Sequence, residues 1–305
     1  MSEDILVPIL EQLEEERIAS QATVKNLMIY GGLASVAIVS FLFYSGMAFG
    51  AFFLAAILAI GIFGIRRKLQ NKVVASFKSN VIPTILAKTD NSLQYSLAGC
   101  IEKNEFMASS LFMKPDRYKG KDLVSGKVGK TDIRFSLVHA EEEHETHDTD
   151  SDGHSTTKTE YRDIFKGLFF SADFNKHLSS STLVRSGASG FLSQLFGSNV
   201  KLEDPRFNNL FQVKSSDQVE ARYILTPSLM ERMVELRDKF KSVDLSFSGS
   251  RVNLAIPLPY NLFDPNLKVP LTDQSHVESL SSSLDLILGI VNDLDLNTRI
   301  WSKAS

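Results

Sequence analysis

NLMIYGGLASVAIVSFLFYSGMAFGAFFLAAILAIGIFGI, residues 26–65, runs for forty residues without a formal charge. One crossing of a bilayer's hydrocarbon core takes about 20 apolar residues, so the stretch has the length of two crossings. Its least apolar point is Tyr44, Ser45 and Gly46, where a tight turn fits at the far interface with the tyrosine as an aromatic anchor. The expectation is a transmembrane helical hairpin with spans near 27–44 and 47–65. Gly31, Gly32, Ala34 and Ala37 in the first span, and Ala55, Ala59, Gly61 and Gly64 in the second, are small enough to let two backbones approach. A single long tilted helix or a buried core hairpin competes with this reading, but the run length and the missing charges weigh against both.

Charge sets the orientation. Arg66, Arg67, Lys68 and Lys72 follow the second span directly, with no acid before Asp90, and such a positive cluster stays inside. Two crossings then return residues 1–26 to the same side, so both termini are expected in the cytoplasm. Residues 1–26 carry six acids and two bases, which is not the basic start of a secretory signal. Residues 66–138 hold fourteen Lys/Arg against six Asp/Glu, a surplus that can lean on anionic headgroups. Those cations are dispersed, and residues 161–305 balance at sixteen of each sign, which speaks against nucleic acid. The single cysteine, Cys100, excludes an intrachain disulfide.

Outward from the hairpin, residues 1–26 read as a cytoplasmic helix with Ile5, Leu6, Ile9, Leu10, Leu13 and Ile18 on its apolar face. Residues 66–305 read as one soluble α+β domain. A helix is expected over 69–88, with Pro83 near its end. Strand-like alternation over 122–128, 131–139 and 161–172 implies an antiparallel meander, interrupted by an acidic, His-rich loop over 139–160. Thr226-Pro227 announces a helix over about 227–241. Residues 243–258 read as two strands around Gly249-Ser250, and a last helix over 273–297 carries Val277, Leu280, Leu284, Ile287, Val291 and Leu294 at heptad spacing.

Four of the six histidines, His139, His144, His147 and His154, lie within HAEEEHETHDTDSDGH, residues 139–154. Imidazole and carboxylate ligands suit a divalent metal such as zinc, nickel or copper. The spacing matches neither an HExxH helix nor an EF-hand loop, so a solvated hairpin loop with weak, incidental metal affinity stands beside that reading, and no cofactor is expected. Gly129-Lys130-Thr131 lacks the first glycine of a phosphate-binding loop, since position 124 is Val124. Cys100 has no CxxC partner and reads as a small buried side chain. Asp173, Asn175 and Lys176, just past an aromatic strand, are what an unrecognised catalytic site would be built from.

YRDIFKGLFFSADFNK at 161–176, DQVEARYILTPSLMERM at 217–233 and LSFSGSRVNLAIPLPYNLFDP at 245–265 together resemble the bacterial family named domain of unknown function 3137. The resemblance spans most of residues 60–300. It implies a paired transmembrane segment followed by a soluble α+β domain, and it implies no catalytic residue. The function expected from all of this is a membrane-anchored cytoplasmic interaction or scaffold module without enzymatic activity, binding membrane lipids and a protein partner or its own copies. The alternatives are an enzyme with an unrecognised site, and metal or pH sensing through the His-rich loop.

Overall fold

The computed structural model describes residues 3–46, 48–149, 155–187 and 198–297. The chain forms two compact units, one of residues 1–88 with 263–282, the other of residues 89–262 with 283–305.

The first unit is built on two long helices, α1 (Glu3–Tyr44) and α2 (Ala48–Thr89). The amphipathic helix and the first apolar segment expected separately are thus one uninterrupted rod, as are the second apolar segment and the basic helix after it. Nothing at residues 24–27 or 64–69 breaks a helix: there is no proline, and a lone glycine costs only about 1 kcal/mol. α1 ends where Ser45 and Gly46 donate their amides to Phe41 and Phe43, with Gly46 at φ 79°, a left-handed end that glycine adopts freely. Among the described residues one helix, α1 from Leu6 to Tyr44, is long and apolar enough to cross a membrane. A methyl added to Gly31 would meet Ile62 Cδ1 at 3.5 Å, so α1 and α2 touch at that small residue.

Near its start α1 buries Leu6, Leu10, Leu13 and Arg17, while Ile18 is exposed. The inward stripe is therefore rotated from the expected face. In α2, Val73, Phe77, Val81, Ile82, Ile85 and Leu86 are buried, and Pro83 lies within the helix.

The second unit is α+β. After β1 (Gln94–Ser96) and α3 (Lys103–Ala108) come β2 (Arg117–Val128), β3 (Thr131–Thr149), β4 (Ser155–Asp173), β5 (Thr182–Ser186) and β6 (Ser198–Asn199). Then follow α4 (Pro205–Leu210), β7 (Phe211–Ser215), α5 (Gln218–Ile224), α6 (Pro227–Phe240), β8 (Asp244–Ser248) and β9 (Arg251–Ile256). The described strands form one antiparallel sheet in the order β1-β2-β3-β4-β9-β8-β5-β7-β6. Leu137, Val138, Leu168, Phe169, Phe170, Leu254 and Ala255 at its centre are all buried. Residues of both parities are inside, so the alternation read over 131–139 and 161–172 gives way at the sheet centre to consecutive buried residues. Over β3, β4 and β9 one face packs Phe106 of α3 against Phe165 and Phe169 at ring-centroid distances of 6.2 and 5.0 Å.

The helix signalled by Thr226-Pro227 is α6, and the Thr226 hydroxyl accepts from the Leu229 amide at 3.3 Å. The β8–β9 turn is Gly249-Ser250 as expected, with Gly249 at φ 59°. Two readings need correction. Residues 139–149 and 155–160 are not a loop: β3 continues to Thr149 and β4 begins at Ser155, pairing His144 with Glu160. Its strand character is hidden in the sequence because alternation shows as apolar-polar only where one face is buried, and around His144, Glu145 and Lys158 to Glu160 the ribbon is exposed. The last helix is shorter than expected, α7 (Gln274–Leu288), followed by a turn of helix α8 (Ile290–Asp293) beyond Gly289. Leu280, Leu284, Ile287, Val291 and Leu294 of the heptad seam are buried within the chain, so the seam serves intramolecular packing.

Candidate functional site

A concave site of the first unit begins with an ion pair one helical turn apart. Arg17 donates to both Glu14 carboxylate oxygens at 2.6 and 2.7 Å. The same arginine, through Nη1, and Gln21, through Nε2, donate to the Leu267 carbonyl at 3.2 and 3.1 Å. Glu14 in turn accepts from the Leu271 amide at 2.7 Å. On α2, buried Lys78 pairs with Asp264 at 2.8 Å. The segment 264–271 is therefore fastened to α1 at one end and to α2 at the other.

Beneath this strap lies a cavity of about 630 Å³ lined by α1, α2, Leu267 and Lys268. Its apolar wall includes Val24, Met28, Ile29, Leu69 and Val73, and its cations are Arg17, Lys25, Arg66 and Lys268. Lys25 and Arg66 stand at opposite ends of the uncharged stretch 26–65, yet the fold brings them to one cavity. Sequence reading used Arg66 as an orientation signal and did not bring Lys25 beside it. It missed the strap, because nothing local to Leu267 marks its carbonyl as the acceptor for a side chain 250 residues away.

In the second unit, His139 gathers two carboxylates. Its Nε2 is 2.6 Å from Asp163 Oδ1 and 3.8 Å from Glu141 Oε1. His139 and Glu141 are two apart on β3 and so share a face. Asp163 joins them because the register slips between Ala140 and Glu141, setting Glu141 opposite Asp163. The three donor groups lie within 4.8 Å of one another, and one imidazole with two carboxylates is a donor set that zinc accepts. The Tyr260 ring lies 5.9 Å from the His139 ring.

The other expected ligands are not in this cluster. His144 is exposed and paired in the ladder with Glu160. His147 lies opposite Thr157 in the ribbon, with its side chain outside the described residues, and His154 lies outside them altogether. Glu141 stands in plain view within the acidic tract, but Asp163 can be found only by knowing the register.

Asp173, Asn175 and Lys176 do not converge. Asp173 lines a polar cavity with Asp132, Arg134 and Arg251, whereas Asn175 and Lys176 line another with Thr226, Ser228, Arg232 and Asp295. The Lys176 ammonium sits 4.5 Å over the Tyr223 ring, and burial pushes its pKa down. Cys100 is half-buried, and burial together with the nearby Glu102 pushes its thiol up, so it is poorly suited to act as a nucleophile. Gly129-Lys130-Thr131 is a hairpin turn whose Lys130 amide and Thr131 hydroxyl donate to Asn297 at 2.9 Å, as its missing glycine implies.

Comparison with known proteins adds a family-model match and no activity. The family described as "Protein of unknown function (DUF3137)" matches residues 163–296, in agreement with the motifs that carried the resemblance. No curated protein matches the sequence. Among solved structures, the mycobacterial trehalose monomycolate transport factor A, TtfA, aligns at 8% identity over 66% of this chain and 88% of its own, with a TM-score of 0.34.

The strap has a pH signature. The bonds from Arg17, with that from the Leu271 amide and against the opposing effect of burial, hold Glu14 below its usual carboxylate value of 4.5. A carboxyl depressed in the folded state contributes stability above its unfolded pKa and loses it as pH falls through the folded one. Protection of the Leu271 amide from hydrogen exchange, corrected for intrinsic rate, should hold from pH 7 to about 5 and fall only below 4.5. Glu14→Ala should remove it at every pH, and protection unaffected by that substitution would contradict the strap.

Proposed function

We propose that this chain, whose residues 163–296 carry the family domain, is a membrane-anchored interaction module. Its two long helices cross the bacterial inner membrane as a hairpin over 27–44 and 47–65, with both termini on the cytoplasmic side. The α+β unit then works at the inner leaflet, where it binds a protein partner, lipid headgroups or a second copy, and it has no catalytic activity. The observation that carries this reading is the pairing of Lys25 with Arg66 at one cavity, while Phe41, Phe43, Phe52, Phe53 and Phe63 between them in sequence face outward. Charges at one end of a helix pair and exposed aromatics along it match a bilayer's interface and core. The basic run Arg66 to Lys72 on α2 supports the orientation, and tethering raises the local concentration of the domain near membrane partners.

A second reading rests on a separate observation. The convergence of His139, Glu141 and Asp163 favours a divalent cation held at the base of the β3–β4 ribbon, with His139 as the nitrogen ligand.

Each reading has its own test. In a Cys100→Ser background, Ser45→Cys in spheroplasts should react with a membrane-impermeant maleimide from outside, and Glu231→Cys should react only after permeabilisation. Labelling of Glu231→Cys from outside, or none of Ser45→Cys until permeabilisation, would contradict the hairpin. Zinc titrated calorimetrically into the purified chain should bind, with His139→Ala abolishing the heat and His144→Ala leaving it. Undiminished binding by His139→Ala would remove the metal reading.

A further inference from the structure

The cavity under the strap joins two kinds of surface. Met28, Ile29, Leu69 and Val73 make an apolar wall, and Lys25, Arg66 and Lys268 supply positive charge, with no acidic residue in the lining. Arg17 also borders the space, but its guanidinium is held by Glu14 and the Leu267 carbonyl. Lys25, Arg66 and Lys268 are exposed. The volume, about 630 Å³, falls in the range of pockets that enclose an organic ligand, roughly 300–1,000 Å³.

We propose that this cavity binds one anionic phospholipid from the surrounding leaflet. Its phosphate lies at Lys25, Arg66 and Lys268, and an acyl chain runs along Met28, Ile29 and Leu69 toward the uncharged part of the helix pair. The proposal rests on the membrane reading above, and it adds a specific site with a specific ligand class.

Three observations single out this occupant. Lys25 and Arg66 lie at the two ends of the uncharged stretch, the depth at which lipid phosphates meet a helix pair that enters a bilayer. The wall next to them is apolar, which suits an amphiphile and leaves a free inorganic anion with nothing to gain from it. Finally, Lys268 follows Leu267, whose carbonyl accepts from both Arg17 and Gln21, so the backbone that carries the third cation is fastened at the cavity.

The full-length protein is purified in a mild detergent, stripped of lipid, and reloaded with phosphatidylglycerol or with phosphatidylcholine of the same acyl chains. Native mass spectrometry then reads the bound fraction. Phosphatidylglycerol should bind about tenfold or more tightly than phosphatidylcholine, as expected for headgroup cations worth roughly 1 kcal/mol each. Lys25→Gln, Arg66→Gln and Lys268→Gln combined should erase that preference. A second variant, Lys268→Glu, changes only an exposed strap residue, and should weaken phosphatidylglycerol binding by a measurable factor while circular dichroism stays unchanged.

Equal binding of the two lipids, or a preference that survives the triple substitution, overturns the site. Glycerol phosphate that competes as well as the intact lipid overturns the acyl part of the proposal, because it shows a simple anion site. Binding is measured in micelles and so does not depend on whether the chain is integral to a membrane. Failure of the lipid site and failure of the membrane reading are therefore separate results.

Discussion

Among the described residues, fifteen large apolar side chains between Met28 and Ile65 are exposed on α1 and α2, and an environment for them is the constraint that the rest of the first unit answers to. Full burial of one such side chain is worth roughly 1.5–3 kcal/mol, while a whole domain is stable by only about 5–15 kcal/mol. Leaving fifteen of them in water would forgo a stabilisation larger than that margin. The same helices bury Leu6, Leu10 and Leu13 at one end and Phe77, Val81 and Ile82 at the other, so each rod changes character along its length. What covers the middle must be an apolar medium or another apolar surface, and the forty-residue run without charge has the dimensions of the former.

The boundary between the two regimes is where the polar contacts concentrate. Glu14, Arg17 and Gln21 on α1 and Lys78 on α2 fasten residues 264–271 at the end of the helix pair where the charges begin. Arg17 is 8% exposed and Lys78 3%; cations this deep are tolerated only with partners, and the strap supplies them. Asp264 gives Lys78 a carboxylate, and Leu267 gives Arg17 a carbonyl beyond its bond to Glu14. The family match covers residues 163–296 and so includes this strap, although the helices it fastens lie upstream of the match.

Legibility in the sequence follows the range of the interaction. The uncharged run, the Thr226 cap, the Gly249 turn and the strands around Phe135 and Phe169 are all visible there, because each depends on neighbours within a few residues. The small elements β1, α3, β5, β7 and α5 are not: Gln94–Ser96 is too short to show a period, and β5 and β7 take their character from pairing with each other. The ribbon beyond Ala140 reads as a loop because both of its exposed faces are polar, which erases the alternation that marks a strand. At the metal candidate, composition alone points to His139. Asp163 depends on a one-residue slip in the ladder, which no local pattern encodes.

The proposed role rests on the apolar length of α1 and α2 lying in a bilayer. The most direct measurement is extraction of membranes containing the full-length chain with alkaline carbonate, followed by sedimentation, with a peripheral membrane protein as the control. The account predicts that the chain stays in the pellet while the control is released, and that detergent alone brings it into solution. Release of the chain by carbonate as a monodisperse soluble protein would contradict it.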